Sequence, residues 1–451
     1  MWYRSLIATV LILLPEWAMG ASYGIQIDTT WTMPRGVVTL NEDGSAGLRR
    51  LAKNVNVATD GLIQKVGGVL TAQSNPGKIG NIVDGRTDTW WNPAPGDPVD
   101  KWKMTVDLGR AVATKKVRLT FADTVASGDT LKPFERFSVF ISNGCGYSKT
   151  VPQYRLLGRE EKLNREQVIE YDIVYEDIGD TTDTGEALIL SLNVDLVRFV
   201  RVILDARNLS GIPALAKIEV VTAGENIAFL TDENGGKVIA YEHSPATGMY
   251  DGVAGTNWQY TPVADPEWDK NPTNPVMAAA FEWDLGAAFW LDQIYMDYGQ
   301  ELGQYAGGHN SGDTGTPWGY ILMTSDGSPR PGGSVDWPPG GKYAYQLLRD
   351  VNNRVRPYQF HFNHEFEPRK VRHLFFRMAH GYMVWGRGST QLYEMQLFGD
   401  GYPAEAVLTS PPKSLAALSG DTGEKLVSAL RWEAEQPLYP STRVELQTRT
   451  G

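Results

Sequence analysis

The sequence predicts an all-β chain built of antiparallel sandwiches. Three observations carry that expectation: runs of β-branched and aromatic residues with a period near two recur throughout, turn residues bound almost all of them, and long helix-forming runs are missing. In the first half the runs are "KKVRLTF" (115–121), "ERFSVFIS" (135–142), "LVRFVRVILDA" (196–206) and "AKIEVV" (216–221). In the second half they are "LDQIYMDY" (291–298), "YQFHFN" (358–363), "RHLFFRMA" (372–379) and "LYEMQLF" (392–398). Such runs separated by turns point to sandwiches rather than to βαβ units.

The start of the chain bears on compartment. Arg4 supplies a charged n-region, "LIATVLILL" (6–14) an apolar core and "AMGA" (18–21) a small-residue cleavage site. The apolar run is too short to span a bilayer, so residues 1–21 read as a secretory signal removed after Gly20 or Ala21, with an uncleaved anchor as the alternative. No cysteine stands at the cleavage site and no later run resembles a transmembrane helix, so the expectation is an exported protein without membrane insertion. A formal net charge of −11 argues against nucleic acid and against an anionic membrane surface as partners. The single cysteine, Cys145, sits in "SNGCGYS" and is expected simply to occupy a loop. A secreted chain without disulfides relies on its cores or on bound ions.

An internal repeat organises the rest. "NIVDGRTDTWW" (81–91) has a partner in "MYDGVAGTNW" (249–258), each a DG turn followed by threonine and then tryptophan. "WKMTVDLG" (102–109) matches "AAFEWDLG" (279–286), and "FSVFISNG" (137–144) matches "GYILMTSDG" (319–327). "RFVRVIL" (198–204) matches "HLFFRMA" (373–379), and "LAKIEVV" (215–221) matches "LYEMQLF" (392–398). The spacing from Asp107 to Lys217 equals that from Asp284 to Glu394, 110 residues in both copies (217 − 107 and 394 − 284).

This ordered set, present twice, resembles the discoidin or coagulation-factor type-C domain, whose galactose-binding-like jelly roll also serves as a carbohydrate-binding module. Each copy opens with its own strand, "NVNVA" (54–58) and "ENIA" (225–228). The resemblance implies two jelly-roll β-sandwiches in tandem, at 50–222 and 223–400, with ligand loops gathered at one end. Residues 22–49 form a leader expected to pack on the first sandwich or stay loose. Residues 401–451 read as a linker and a truncated third β-domain.

In this family the DG loop commonly wraps a calcium ion with loop carbonyls, an aspartate, a threonine and a glutamate from the last strand. A hard cation needs six to eight oxygens, which an irregular acidic loop can supply. The resemblance places that role on Asp251, Gly255, Thr256 and Glu394 in the second copy, against the alternative of a plain turn. The first copy keeps Asp84, Asp88 and Thr89 but has Lys217 where the second has Glu394. An ammonium there repels calcium and is expected to satisfy Asp84 in its place. Calcium is therefore expected in the second copy rather than the first.

Trp90 or Trp91, and Trp258, match the inward-facing loop anchor, and Trp102 precedes the first DLG. Two Gly-rich loops, "YAGGHNSGDTGTPWG" (305–319) and "HGYMVWGRG" (380–388), combine aromatics with His and Arg. Sugar sites pair an aromatic platform with forked donors, so Trp385, Arg387 and His309 are the ligand-binding candidates, against the reading of solvated loops around a filled core. Catalytic motifs fail. "GASYG" (20–24) straddles the signal cleavage, and "HFNHE" (361–365) on a strand sends His361 and His364 to opposite faces. Asp180 and Asp183 lie in a turn-rich loop, and no P-loop or dinucleotide fingerprint occurs.

The leading expectation is a secreted, calcium-supported, non-catalytic protein recognising a glycan on a cell surface or in a polysaccharide. One alternative makes these modules the targeting appendages of a larger carbohydrate-active enzyme. Another makes them structural or adhesive blocks. Fold does not decide among them, because function lives in the loops.

Overall fold

Each copy of the repeat is organised by one long bent strand. The computed structural model describes residues 26–122, 130–145, 151–181, 187–241, 246–260, 280–298, 319–331, 341–352, 360–378, 390–414 and 444–445. In the first copy the strand is Lys103–Phe121. Its first half lies between Val69–Ala72 and Asp195–Leu204, and its second half between Val168–Asp172 and Leu215–Thr222. Ala280–Asp297 repeats the plan. Lys237–Tyr241 pairs with its start, Glu394–Gly399 with its end, and His361–Met378 along both halves. One strand thereby joins both layers of a sandwich, and every pairing named is antiparallel.

The DLG motif is the hinge of that strand. Gly109 and Gly286 have φ of 80° and 77°, where an L side chain is strained. Pairing with the neighbouring strand lapses between Asp107 and Val112, and again between Asp284 and Phe289. The aspartate locks the bend from inside. Asp107 Oδ1 accepts the Gly109 amide at 2.8 Å and Arg198 Nε at 3.0 Å. Asp284 Oδ1 accepts the Gly286 amide at 2.9 Å and Arg372 Nε at 3.2 Å.

A seven-stranded sheet results in the first copy and a six-stranded one in the second, within an all-β fold. The repeat keeps register to the end. Lys217 faces Thr120 and Glu394 faces Asp297, each pair displaced by 177 residues (394 − 217 and 297 − 120). One sequence match needs correction by a residue. Phe199 faces Asp107 and His373 faces Asp284, so Arg198 corresponds to Arg372 rather than to His373. A one-residue slip would turn the whole strand inside out and break the arginine–aspartate bridge.

Both cores are aromatic. Trp91, Trp102, Phe121, Phe134 and Phe137 fill the first; Trp258, Phe281, Trp283 and Phe376 fill the second. Trp91 is the anchor that corresponds to Trp258. Trp91 exchanges backbone hydrogen bonds with Leu215 at 2.8 and 2.9 Å, as Trp258 pairs with Leu392.

The leader does not pack as expected. Its hairpin, Val38–Leu40 with Ala46–Leu48, belongs to the second core, where Ile27, Val37, Val38 and Leu51 are buried with Trp258 and Trp283. Apolar side chains at these positions need a partner face, and Arg49 pairing with Glu225 fixes which one. The segment after Gly399 returns to the same body: Ala288 bonds Glu405, and Thr32 exchanges hydrogen bonds with Thr409 at 2.9 and 2.8 Å. The strands expected beyond residue 414 lie outside the described residues.

Cys145 lies in a loop, as expected, just past the strand Phe137–Ser142, but it is not exposed there. It is buried between the two sandwiches in a cluster with Ala111, Ala113, Leu196, Tyr295 and Phe398. Gln396 closes this interface, its Nε2 donating to Ala111 O at 2.9 Å and its Oε1 accepting from Ala113 N at 2.8 Å. Gln396→Ala would strand both backbone groups in an apolar contact. The expected loss is about 2 kcal/mol in chemical denaturation of the full chain, checked against Gln391→Ala outside the interface.

Candidate functional site

The loop from Gly248 to Trp258 gathers oxygens around one hydroxyl. Gly252, with φ of 74°, reverses the chain after Asp251, and the Val253 amide donates to Asp251 Oδ1 at 2.8 Å. Thr256 Oγ1 then lies 2.9 and 2.8 Å from the two Asp251 carboxylate oxygens, 2.8 Å from Val253 O and 3.3 Å from Gly248 O. A hydroxyl has one proton to give; Asp251 Oδ1 and Val253 O also accept the Val253 and Thr256 amides, which leaves Asp251 Oδ2 and Gly248 O to compete for the hydroxyl. Gly255 is exposed within the same loop. Partial burial holds the Asp251 carboxyl above its ordinary value, against the Thr256 hydroxyl and the Val253 amide, which lower it.

Glu394 is the unusual member. It is fully buried at the start of the last strand, and its Oε2 has no hydrogen-bond partner. Its Oε1 accepts from Gln396 Nε2 at 3.1 Å. Burial pushes the Glu394 carboxyl well above the usual carboxylate range, and the charges of Asp251 and Asp297 push it further. The neighbouring cation, Arg110 of the first sandwich, stacks over Phe229 at 4.1 Å instead of pairing with it. A buried acid that faces two other acids, with Arg110 near but not hydrogen-bonded to it, is costly unless a cation or a proton joins it.

The donor set fits a hard, oxygen-seeking cation: two carboxylates, a hydroxyl and loop carbonyls. Among the described residues no three His, Cys, Asp or Glu side chains group to hold a metal. A calcium site of this composition does not require three, because carbonyls and hydroxyls complete its shell.

The first copy has the same loop with a different ending. Thr89 Oγ1 donates to Asp84 Oδ2 at 2.7 Å, the Arg86 amide donates to Asp84 Oδ1 at 2.8 Å, and Gly85 has φ of 80°. Lys217 does not reach Asp84, contrary to expectation. Its ammonium lies 2.8 Å from Glu219 Oε1, two residues along and on the same face of its strand. Asp84 stays exposed, so it needs no buried counter-charge.

Trp385, Arg387 and His309 lie outside the described residues. The "HFNHE" histidines separate as the strand period requires. His361 Nδ1 meets the Tyr295 hydroxyl at 3.0 Å beneath Tyr175, whereas His364 meets the Tyr320 hydroxyl. Burial drives His361 down to about 3, the state of a neutral core histidine. Sequence reasoning missed the parts that join the two copies: Arg110, Ala111 and Gln396. The carbonyl of Gly252, inside the acidic loop, accepts the Ala111 amide of the other sandwich at 2.6 Å. Alanine and glutamine carry no signature that could have announced this.

Among the described residues no helix is long and apolar enough to cross a membrane. No family model and no curated protein matches the chain. Solved structures that it resembles are carbohydrate-binding modules of the discoidin-like, galactose-binding type. The resemblance is one of fold. The tandem CBM32-1 and CBM32-2 domains of Clostridium perfringens ZmpB, in complex with GalNAc, are 9% identical over 74% of this chain and 89% of that one, with a TM-score of 0.24. CpGH89CBM32-4 of the same organism, in complex with glcNAc-alpha-1,4-galactose, is 13% identical over 38% and 96%, with a TM-score of 0.25. Chitosan-binding module 2 of a Paenibacillus chitosanase/glucanase, in complex with chitotriose, is 17% identical over 34% and 93%, with a TM-score of 0.23.

Proposed function

We propose that the chain is a secreted, non-catalytic glycan-binding protein whose second copy holds a calcium ion that braces its loop end. The observation that carries the reading is the convergence of Asp251, Thr256 and the unpartnered Oε2 of Glu394 at the base of a discoidin-like loop. Asp251 and Glu394 supply the charge, Thr256 the hydroxyl, and the Gly248–Gly255 backbone the carbonyls. Calcium there does no chemistry. It would brace an irregular loop whose acceptors crowd around one hydroxyl, and a fixed loop presents a ligand surface at low entropic cost.

The sugar-facing residues under this reading are Trp385 as stacking platform, with Arg387 and His309 as hydroxyl partners. A glycan array probed with the full chain, with and without calcium, tests it. Binding to at least one glycan is expected. Trp385→Ala is expected to weaken that binding by roughly tenfold or more while shifting stability by less than about 0.5 kcal/mol. An array blank in calcium, or full affinity in a folded Trp385→Ala variant, would remove the assignment.

A further inference from the structure

The two copies use corresponding faces in opposite ways. In the second copy, Asp292, Gln293, Tyr295, Gln396 and Phe398 occupy the steps that Lys115, Lys116, Arg118, Glu219 and Val221 occupy in the first, each 177 residues earlier (292 − 115 and 398 − 221). Tyr295 and Phe398 are buried against the first sandwich, and Gln396 hydrogen-bonds to it. Among the described residues the first copy's face has no such cover. It forms an open cleft of about 390 Å³ lined by Asn54, Asn56, Lys115, Lys116, Arg118, Glu219 and Val221.

The cleft is rich in donors. Asn56 Oδ1 is committed to the Ala58 and Val220 amides at 3.0 and 2.9 Å, and Asn54 Oδ1 accepts from Lys115 Nζ at 3.3 Å. Both amide nitrogens are thereby left as donors, and among the described residues neither meets an acceptor. Lys116 and Arg118 share Glu170, and Arg118 and Lys217 share Glu219. Lys53 is neutralised by Asp292 across the interface at 2.7 Å. Lys115 alone of this group has no ion pair among the described residues. Burial and the neighbouring Lys53 lower its affinity for a proton, against the Glu365 and Asp292 carboxylates, which raise it, and the net direction is downward. Three cations and one carboxylate line the cleft, with Lys116 and Arg118 also paired to Glu170 beside it, which leaves Lys115 as its unpaired charge among the described residues.

We infer that this cleft is a second ligand site, distinct from the calcium-braced loop, that binds an oxyanion group, carboxylate or sulfate ester, of an acidic saccharide through Lys115, Asn54 and Asn56. A fixed cation flanked by amide donors is the arrangement that recognises such groups by charge-assisted hydrogen bonds. Among the described residues no aromatic side chain lines the cleft, so recognition there runs through charge rather than stacking.

Titration of the full chain with an oligogalacturonate, with galactose 6-sulfate and with neutral galactose tests this and separates the two anion sources. At least one anionic probe is expected to bind, more weakly as salt rises. Lys115→Gln is expected to weaken it about tenfold and Lys115→Glu to abolish it, because charge-assisted donors are the stronger ones. Chelator is expected to leave that binding unchanged, so failure of the calcium-braced loop would not be mistaken for failure here. Three results would overturn the inference: neither anion binding the folded wild type, undiminished binding by a folded Lys115→Gln variant, or self-association broken by Lys115→Glu with no anion bound.

Discussion

Gly286→Ala is expected to destabilise the chain by about 3 kcal/mol or more, and Gly109→Ala by a similar amount. Two effects add. The left-handed backbone costs an L residue about 1–2 kcal/mol. A Cβ on Gly286 would also lie 2.4 Å from Asn234 O and 2.7 Å from Gly236 N, backbone atoms with no room to yield. On Gly109 it would lie 2.6 Å from Val66 O and 2.8 Å from Gly68 N. Overpacking of this kind typically adds about 1–3 kcal/mol. Gly67→Ala separates the two effects, because Gly67 has φ of 76° with nothing within 4 Å of its Cβ. That control should lose only about 1–2 kcal/mol. For a body of this size the larger loss corresponds to a melting temperature lower by roughly 6–12 °C. Calorimetry showing Gly286→Ala no worse than Gly67→Ala would mean that the DLG bend is not the tight crossing described.

The motifs at these bends were legible as repeated letters, though the DLG bend itself was not, because each is short and its parts bond to one another. Asp–Leu–Gly closes on itself through the aspartate and the glycine amide, and Asp–Gly–x₃–Thr does so through the hydroxyl. The opening Asn–x–Ala is tied in the same way. Asn56 and Asn226 each accept the amide two residues on and the amide of a last-strand residue, Val220 or Leu397. What pattern could not supply was the long-range geometry. Trp90 and Trp91 are equal as letters, and only the Leu215 backbone distinguishes them. Lys217 was expected beside Asp84 because the repeat aligns it with Glu394, but a nearer carboxylate on the same strand face took the ammonium. The destination of the leader and the role of Gln396 depend on partners far along the chain, Glu225 and Ala111, with no periodicity to mark them.

Calcium is expected to bind the full chain with a stoichiometry of one and to stabilise it by roughly 2.7 kcal/mol when free ion is a hundredfold above its dissociation constant. The asymmetry between copies sets the number. Glu394 faces Asp251 with an unpartnered oxygen, whereas the first copy has no acid at the matching step: Lys217 stands there, paired with Glu219 and away from Asp84. Glu394→Gln should erase the calcium response and, in chelator, leave the protein more stable than wild type by about 1–3 kcal/mol, because a neutral amide avoids an unpaired buried charge. The pH dependence gives an independent sign. The folded-state value of Glu394 is raised, so below its ordinary 4.5 the carboxyl is protonated in both states and carries no penalty. Above 4.5 the unfolded chain releases the proton first. Stability in chelator then falls by about 1.4 kcal/mol per pH unit until the raised folded value is passed. Calcium should flatten that fall by taking the carboxylate as ligand, and Glu394→Gln should flatten it without calcium. Isothermal titration and melting curves across pH decide the matter: two ions per chain, no ion, or a wild-type curve in chelator that rises with pH where the variant's is flat would each remove Glu394 from the cation site.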